Sequence, residues 1–349
     1  MSPNHPAGPS PGSSTQETKP EAGLIDRFGR RITYVRLSVT DRCDLRCVYC
    51  MSEDTRFVPR SQLLTLEEMA RLGRCFSELG VTRLRLTGGE PLVRRNVLWL
   101  FEQLGALPGV HDLSLTTNGT QLVRHAAALR AAGVTRVNIS LDSLRRSRFH
   151  AITRRGRIEQ TLDGIEAARH AGFERIKLNS VILENRNHDE VCELAAFAVE
   201  RGLDISFIEE MPLGHVSDHD RAEAFYPSAR IRTDLAQRFE LIPTTETSGG
   251  PSRYWRVVGS DTRVGFISAH SHNFCGDCNR VRVTCEGRLL LCLGQEHSAD
   301  LRRAIRAHPL DDARVKQAIV AAMVIKPKGH EFDLSGEPVM GRYMNATGG

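Results

Sequence analysis

The stretch Asp41-Arg-Cys-Asp-Leu-Arg-Cys-Val-Tyr-Cys50 carries three cysteines, with three residues between the first pair and two between the second. Three thiolates this close together can bind one metal centre, but a four-iron cluster needs one ligand for each iron. One iron would therefore be open to a substrate or cofactor, and an open position distinguishes reactive metal sites from structural ones. The stretch predicts a reactive iron–sulfur site around which the fold is arranged.

The composition is that of a globular α/β protein with one large and one smaller domain. The chain has 349 residues, of which 40% are hydrophobic and 26% charged, and its formal net charge is +5. The arginines are spread along the chain rather than gathered in blocks, so we expect no nucleic-acid partner. No apolar stretch approaches the length of a membrane span, and no secretory signal precedes the first domain. We expect a cytoplasmic location, no membrane association and a disordered extension over residues 1–22.

Short β-branched segments alternate with segments of helical period between about residues 33 and 210. This alternation predicts parallel strands joined by helices through right-handed crossovers. Thr65 and Glu68 have the spacing of a capping box. The six predicted strands are Tyr34–Thr40, Thr82–Thr87, Asp112–Thr117, Arg136–Leu141, Arg175–Ile182 and Asp204–Glu209. Four glycines are expected to end helices: Gly80, Gly133, Gly172 and Gly202.

Six such units can form an open doubly wound sheet or an incomplete (β/α)6 TIM-type barrel. In either fold the chemistry lies at the carboxyl ends of the strands. The cysteine stretch follows the first predicted strand, and Gly88-Gly-Glu-Pro91 follows the second. The alternation stops after residue 212, and residues 244–251 have the composition of a linker. We therefore predict a domain at 23–245 and a C-terminal domain at 246–349.

A second group of cysteines, Cys275, Cys278 and Cys292, lies in the C-terminal part. One reading is structural zinc, which needs a fourth ligand. The other is a second three-cysteine iron–sulfur cluster with an open iron. The candidates for the fourth zinc ligand are Cys285, His270, His272 and His297. Cys75 and Cys192 fall within helical patterns and are expected to act as small buried hydrophobic residues.

The cysteine spacing resembles that of the radical S-adenosylmethionine superfamily. In that superfamily an aromatic residue, here Tyr49, precedes the last cysteine, and a motif matching Gly88-Gly-Glu-Pro91 holds the methionine end of the cofactor. Glycines allow a close approach of the backbone to a ligand, and a carboxylate at a strand end can hold an ammonium group.

Over about residues 23–349 the chain resembles, more narrowly, the GTP 3′,8-cyclase family (molybdenum cofactor biosynthesis protein A). The matching segments are Asp41-Arg-Cys43, Arg85–Pro91, Thr116–Gly119, Asn138–Asp142, Lys177–Asn179, Phe207–Met211, Phe274–Arg282 and Gly348-Gly349. The resemblance implies the incomplete barrel, with a smaller C-terminal domain carrying the second cluster.

The resemblance also assigns roles to individual residues. Catalytic positions are Cys43, Cys47, Cys50, Arg280 and Arg282, and the ligands of the two [4Fe-4S] clusters are Cys43, Cys47, Cys50, Cys275, Cys278 and Cys292. Positions that contact S-adenosylmethionine are Tyr49, Gly89, Ser140 and Met211. Positions that contact GTP are Arg36, Arg85, Thr116, Lys177, Arg280 and Arg282. Arg280 and Arg282 alternate on a predicted strand, so both face one side and can grip a triphosphate together.

The implied reaction is the conversion of GTP to (8S)-3′,8-cyclo-7,8-dihydroguanosine 5′-triphosphate, the first step of molybdenum cofactor biosynthesis. The first cluster would cleave S-adenosylmethionine, and the second would hold the guanine. Implied partners are an electron donor protein and cyclic pyranopterin monophosphate synthase, which receives the product. The chain is expected to be a monomer or a homodimer.

One position departs from the family pattern: Ser206 stands where many relatives have arginine. Arg83 or Arg201 is a candidate to supply that charge; otherwise triphosphate binding is weaker. The Gly348-Gly349 tail is either a frayed terminus or, as the resemblance implies, a segment threaded into the active site. Three other functions stay open: a radical enzyme acting on a peptide, a zinc protein binding nucleic acid, and an inactive scaffold.

Overall fold

A computed structural model of the chain describes residues 23–349 except 215, 217, 218, 273, 331 and 333–340. The predicted N-terminal extension, residues 1–22, lies outside the described residues. The described part contains a mixed sheet of twelve strands combined with helices. No helix within it is both long and apolar enough to cross a bilayer.

The strands are β1 (Tyr34–Ser38), β2 (Arg83–Thr87), β3 (Asp112–Thr117), β4 (Val134–Ser140), β5 (Arg175–Ile182), β6 (Asp204–Glu209), β7 (Leu241–Pro243), β8 (Arg253–Val257), β9 (Arg263–Ile267), β10 (Arg280–Val283), β11 (Arg288–Leu290) and β12 (Ser298–Asp300). The α-helices are α1 (Leu66–Glu78), α2 (Val97–Gly105), α3 (Leu122–Ala131), α4 (Arg146–Thr153), α5 (Ile158–His170), α6 (Val191–Glu200), α7 (Arg221–Ala224), α8 (Ser228–Ala236), α9 (Leu301–Ala307), α10 (Asp312–Met323) and α11 (Met344–Thr347).

Strands β1 to β6 lie side by side in chain order, and each pairs with the next in parallel. This confirms the six predicted parallel strands. Their hydrophobic residues are buried because helices cover the sheet: Leu37 on β1, Leu84 on β2 and Ile205 on β6 are all fully enclosed. The carboxyl ends of these strands, and hence the motifs that follow them, meet at one edge of the sheet.

Strands from the C-terminal part extend this sheet on both sides. β10 pairs in parallel with β1, and β9 pairs in parallel with β6. Beyond them β11 and β12 on one side, and β8 and β7 on the other, continue in antiparallel order. The sequence analysis did not foresee this shared sheet. Its physical reason is that β1 and β6 would otherwise expose unpaired backbone groups as edge strands.

Local signals in the sequence explain where the helices begin and end. The Thr65 hydroxyl accepts from the Glu68 amide at 3.1 Å, and the Glu68 carboxylate accepts from the Thr65 amide at 2.8 Å, which confirms the capping box at the start of α1. Four predicted stop positions adopt left-handed φ angles between 65° and 89°, a region that glycine occupies without strain: Gly80, Gly133, Gly172 and Gly202.

Candidate functional site

One pocket lies over the carboxyl ends of the parallel strands and runs down the inner face of the sheet between the two groups of cysteines. Every residue that the sequence analysis assigned to metal, cofactor or substrate lines it: Arg36, Cys43, Cys47, Tyr49, Cys50, Arg85, Gly89, Thr116, Ser140, Lys177, Met211, Cys275, Cys278, Arg280, Arg282 and Cys292. The structure thus brings together residues from both predicted domains, because β10 and the loop after β11 pack against the strands of the first.

The first group, Cys43, Cys47 and Cys50, lies in the loop that follows β1. The Asn118 side-chain amide and the backbone amide of Leu45 approach the Cys43 sulfur at 3.8 and 3.4 Å. Burial raises the pKa of all three thiols, that of Cys50 to about 12. Nearby carboxylates add to the shift. The site is therefore buried, rich in sulfur and without a counter-cation at its centre, which suits a bound cationic metal centre.

The glycines of Gly88-Gly-Glu-Pro91 are needed because the cysteine loop passes directly against them. A Cβ atom added to Gly88 would lie 2.6 Å from the Thr40 carbonyl oxygen, and one added to Gly89 would lie 2.6 Å from the Asp41 oxygen. The Gly89 amide donates to the Thr40 carbonyl at 2.8 Å. These glycines thus fix the cysteine loop against the end of β2, in addition to exposing backbone to a ligand.

The carboxylate of Glu90 differs from our expectation that it holds an ammonium group. Glu90 is fully buried, does not line the pocket, and accepts hydrogen bonds from Leu92 N, Thr117 Oγ1 and Asn118 N at 2.7–3.0 Å. Burial raises its pKa to about 8 despite these donors. Glu90 therefore joins the ends of β2 and β3, because its oxygens are already occupied by the chain.

Asp142 is a site residue that the sequence analysis missed as an individual residue. It follows β4, lines the pocket, accepts from the Tyr49 hydroxyl at 2.7 Å, and accepts from the Val181 amide at 2.9 Å. Burial raises its pKa to about 6. These contacts hold the Tyr49 ring beside the first group of cysteines. Its position in the predicted segment Asn138–Asp142, at a strand end, was the available signal.

The second group, Cys275, Cys278 and Cys292, faces the same pocket from the other side. Burial raises the pKa of Cys275 and Cys292. Burial also acts to raise the pKa of Cys278, but the positive charges of Arg280 and Lys326 outweigh it and lower the pKa. This group therefore sits in a positive field, whereas the first group sits among carboxylates.

The proposed fourth zinc ligands do not join this group. Cys285 is 1% exposed and packs in the hydrophobic core, where its carbonyl accepts from the Leu64 amide at 2.8 Å. His270 uses its ring to contact the Glu210 carbonyl at 2.8 Å. The described lining of the pocket includes His330 instead, and none of the four candidates: Cys285, His270, His272 and His297.

The structure was also tested for fit to iron–sulfur clusters. All nine cysteines lie in the described residues, and none forms a disulfide. No group of three His, Cys, Asp or Glu side chains in the described residues is spaced for a single metal ion. A four-iron cluster is bound at its corners, so its ligands stand further apart than those of one ion. Two groups of three reduced cysteines facing one pocket fit such clusters, each with one iron lacking a protein ligand.

A cluster of five cations fills the pocket beyond the cysteines: Arg36, Arg85, Lys177, Arg280 and Arg282. The strands place them, since Arg36 on β1 lies in register with Arg85 on β2 and with Arg282 on β10. Arg280 and Arg282 line the same face of β10, as predicted. We call these five residues the cationic cluster. Among the described residues none of the five forms an ion pair with a carboxylate.

The electrostatics of the cationic cluster are those of an incomplete site. Burial lowers the pKa of Arg85 to about 10, and neighbouring Arg36 lowers it further. The Tyr34 ring lies between them, 5.4 Å from the Arg85 guanidinium carbon and 5.8 Å from that of Arg36. Burial acts to raise the pKa of Tyr34, yet the surrounding arginines lower it to about 8. Buried like charges cost free energy unless an anion offsets them.

Several buried polar atoms at this pocket have no hydrogen-bond partner within the described structure. They are Nε of Arg36, Oγ1 of Thr87, Oδ1 of Asn179 and the hydroxyl of Tyr34. Buried polar atoms in folded proteins are nearly always satisfied. Their gathering at the cationic cluster therefore indicates a polar, anionic ligand.

Ser206 is fully buried, and its surroundings leave no room for a longer side chain. Its hydroxyl lies 2.9 Å from that of Ser252, and a Cβ added to Gly265 on the neighbouring strand would lie 2.7 Å from it. Tyr254 packs beside these residues, donates to Ser248, and accepts from Lys177 at 3.3 Å. The segment predicted as a linker thus occupies the place of the missing arginine.

Neither candidate substitute for that arginine lines the pocket in the described residues. Arg201 contacts Glu166 at 3.2 Å, and its guanidinium carbon lies 3.8 Å from the centre of the Phe197 ring. Arg83 approaches Asp112 at 4.0 Å. Lys177, held by Tyr254, is the cation nearest in position to Ser206, because Lys177 and Asn179 share a strand and Asn179 pairs with Ser206.

The C-terminal tail enters the site. Asn345 donates to the Asp41 carbonyl at 2.8 Å, Met344 N donates to the Cys50 carbonyl at 3.3 Å, and Arg282 donates to the Gly348 carbonyl. Gly348 has a φ of 76°, and Gly349 lines the pocket. The tail is therefore packed between the first group of cysteines and the cationic cluster rather than frayed.

Comparisons with known proteins agree with this arrangement. Residues 37–198 match the radical SAM superfamily, and residues 203–332 match the family described as Molybdenum Cofactor Synthesis C. The chain is 59% identical to a GTP 3′,8-cyclase of Ectopseudomonas mendocina over 93% of this chain and 98% of that protein. It is 58% identical to one of Marinobacter nauticus over 95% and 100%.

Among solved structures, Streptococcus suis SuiB bound to S-adenosylmethionine is similar with a TM-score of 0.59 and 13% identity. The similarity covers 90% of this chain and 77% of that one. At this identity the likeness concerns the fold alone.

Proposed function

The chain belongs to the GTP 3′,8-cyclase family of radical S-adenosylmethionine enzymes, and we propose that its pocket converts GTP to (8S)-3′,8-cyclo-7,8-dihydroguanosine 5′-triphosphate. This reaction would be the first step of molybdenum cofactor biosynthesis. The observation that carries the proposal is the single pocket that joins two groups of three cysteines to a buried cationic cluster. A nucleoside triphosphate supplies the anion that the cationic cluster lacks among the described residues.

We infer that Cys43, Cys47 and Cys50 hold one [4Fe-4S] cluster and that Cys275, Cys278 and Cys292 hold another. When bound, the first cluster and S-adenosylmethionine supply a carbon radical that takes the hydrogen atom from C3′ of GTP, after which C3′ bonds to C8 of guanine. Arg280 and Arg282, with the other cations, would grip the phosphates. Tyr49, Gly89, Ser140 and Met211 would contact S-adenosylmethionine.

The division of labour follows from the two ends of the nucleotide. The cationic cluster would fix the phosphates, and the second group of cysteines would lie against the guanine. The ribose between them is then presented toward the first group, where Asp142 holds Tyr49. Positioning matters more than acid–base catalysis here, because a reactive radical attacks the nearest hydrogen. The tail at Gly348 would help to exclude water from this region.

Finer features of the fold and its partners remain proposals of ours. The parallel strands would curve into an incomplete (β/α)6 TIM-type barrel over residues 23–245, with residues 246–349 as the domain of the second cluster. The pairing of β10 with β1 and β9 with β6 supports a barrel whose edges are covered by that domain. We also propose an electron donor protein, transfer of the product to cyclic pyranopterin monophosphate synthase, a cytoplasmic location and a monomer or homodimer.

The test is anaerobic reconstitution of Cys275→Ala beside the parent and a matched control, Cys285→Ala. Cys285 is also a buried cysteine but lies in the hydrophobic core. The parent and the control should hold two clusters and cyclise GTP. Cys275→Ala should hold one cluster, still cleave S-adenosylmethionine, and form no cyclised nucleotide. Normal cyclisation by Cys275→Ala would reject the role of the second group, and loss of the second cluster in Cys285→Ala would reject the ligand set.

A further inference from the structure

A buried lysine beside the second group of cysteines has no role in the function described so far. Lys326 is 1% exposed and lies in the segment that follows α10. Its ammonium donates to the Leu291 carbonyl at 2.6 Å and to the Arg280 carbonyl at 3.2 Å, and it lies 3.8 Å from the Cys278 sulfur. An ammonium has three N–H donors, and these three contacts account for them.

Each of these contacts belongs to the second site. Cys278 is one of its three cysteines, Leu291 directly precedes Cys292, and Arg280 belongs to the cationic cluster. The lysine therefore connects β10 with the loop after β11 at the point where both reach the pocket. Most basic residues of this chain are arginines, with five lysines among 47 basic residues. A compact ammonium suits this enclosed position, whereas a planar guanidinium would need a wider space.

A second cation fixes the backbone around this lysine. Arg30 donates to the carbonyls of Pro327 and Lys328 at 2.7 Å each, and to the Cys275 carbonyl at 2.8 Å. Its guanidinium is in turn paired with Asp26 at 2.6 Å. The segment of Lys326 is thus held from the opposite end of the chain, so the ammonium has a fixed place next to the thiol of Cys278.

We propose that Lys326 is a positioning residue of the second metal site, which gives its cluster a fixed positive charge at Cys278 and holds the two cysteine-bearing segments together. The inference rests on the proposed function, because it requires a cluster at that site. Charges near a cluster and hydrogen bonds to its sulfurs set its reduction potential. The lysine therefore raises the potential of the second cluster and slows its loss of iron.

The experiment isolates the second site by replacing Cys43, Cys47 and Cys50 with alanine in the full chain. Lys326→Met is compared in this background with Lys328→Met, which removes an exposed lysine two residues away. Iron and sulfide content, the rate of iron loss to a chelator, and the midpoint potential followed by electron paramagnetic resonance are measured. Lys326→Met should lose iron about tenfold faster or more, and its midpoint potential should move to more negative values. Lys328→Met should match the background protein.

The outcomes separate this inference from the proposed function. If the background protein held no iron and sulfide, the second cluster itself would be rejected, and the inference with it. If it held a cluster and Lys326→Met kept the same potential and the same rate of iron loss, only the role of Lys326 would be overturned. If Lys326→Met held no cluster at all, Lys326→Arg decides: retention of the cluster supports a role of the charge, and its loss in both variants rejects that role in favour of packing.

Discussion

Replacing Arg36 with glutamine should weaken GTP binding without weakening the fold. The guanidinium carbons of Arg36 and Arg85 lie 5.8 and 5.4 Å from the centre of the Tyr34 ring, and Nε of Arg36 has no hydrogen-bond partner in the described structure. These two distances limit the separation of the charges to about 11 Å, at which Coulomb repulsion at an effective dielectric constant of about 20 is about 1.5 kcal/mol. The variant loses this repulsion and also a cation–π contact of about 0.5–1 kcal/mol.

The two terms nearly offset each other in the absence of ligand, so the free energy of unfolding should be unchanged or higher by up to about 1 kcal/mol. Binding behaves differently, because a hydrogen bond to a charged group contributes about 1.5–3 kcal/mol. The dissociation constant for GTP should therefore rise about 10- to 100-fold. Thermal unfolding of the ligand-free protein and calorimetric titration with GTP measure the two effects on the same samples.

Two controls make the result specific. Guanosine carries no phosphates, so it should bind to Arg36→Gln and to the parent equally. Arg146→Gln removes an arginine whose side chain is 79% exposed and which pairs with Glu159, and it should change neither quantity. A variant at Arg36 that unfolds more easily and binds GTP as the parent does would refute the reasoning, since the arginine would then stabilise the fold rather than hold the substrate.

Three further predictions concern the surroundings of the site. GTP affinity should fall as the pH rises through about 8, because ionised Tyr34 would place a negative charge among the arginines, and Tyr34→Phe should flatten this dependence in titrations between pH 7 and 9. Since the folded-state pKa lies below that of the unfolded chain, the same ionisation should stabilise the ligand-free fold as the pH rises above 8, and Tyr34→Phe should lose that gain in unfolding experiments. Gly348→Ala places a Cβ at a left-handed φ against Thr87, so cyclisation should fall severalfold while the iron content stays that of the parent; equal activity would refute the packed tail. Thr65→Ala removes the capping box of α1 and should lower the free energy of unfolding by about 1 kcal/mol with no change in GTP affinity, as denaturant unfolding would show.

Features set by neighbouring residues were predictable from the sequence. The capping box, the glycines with left-handed φ and the six parallel strands depend on local spacing or period, and the structure confirms them. The two groups of cysteines and the paired arginines of β10 were likewise visible as spacings. Topology then brought them together, because parallel strands deliver the motifs that follow them to one edge of a sheet.

Features set by contacts between distant segments were not predictable. Nothing local in β9 and β10 shows that they join the two edges of the first sheet. The same holds for Ser252 and Tyr254, which fill the space above Ser206. Lys326 follows a helix as an ordinary basic residue, and only the fold reveals its contacts with the second site. Glu90 was misjudged because its three donors come from its own turn and from the end of the next strand.

The pairing of β10 with β1 has a consequence for biosynthesis of the chain. During translation β1 emerges from the ribosome long before β10, so a nascent chain that ends near residue 200 carries two bare strand edges. Such a chain is prone to aggregate or to recruit a chaperone until its last third has been made. The tail contacts at Cys50 and Asp41 form last of all, which leaves the cysteine loop accessible to iron delivery until synthesis is complete.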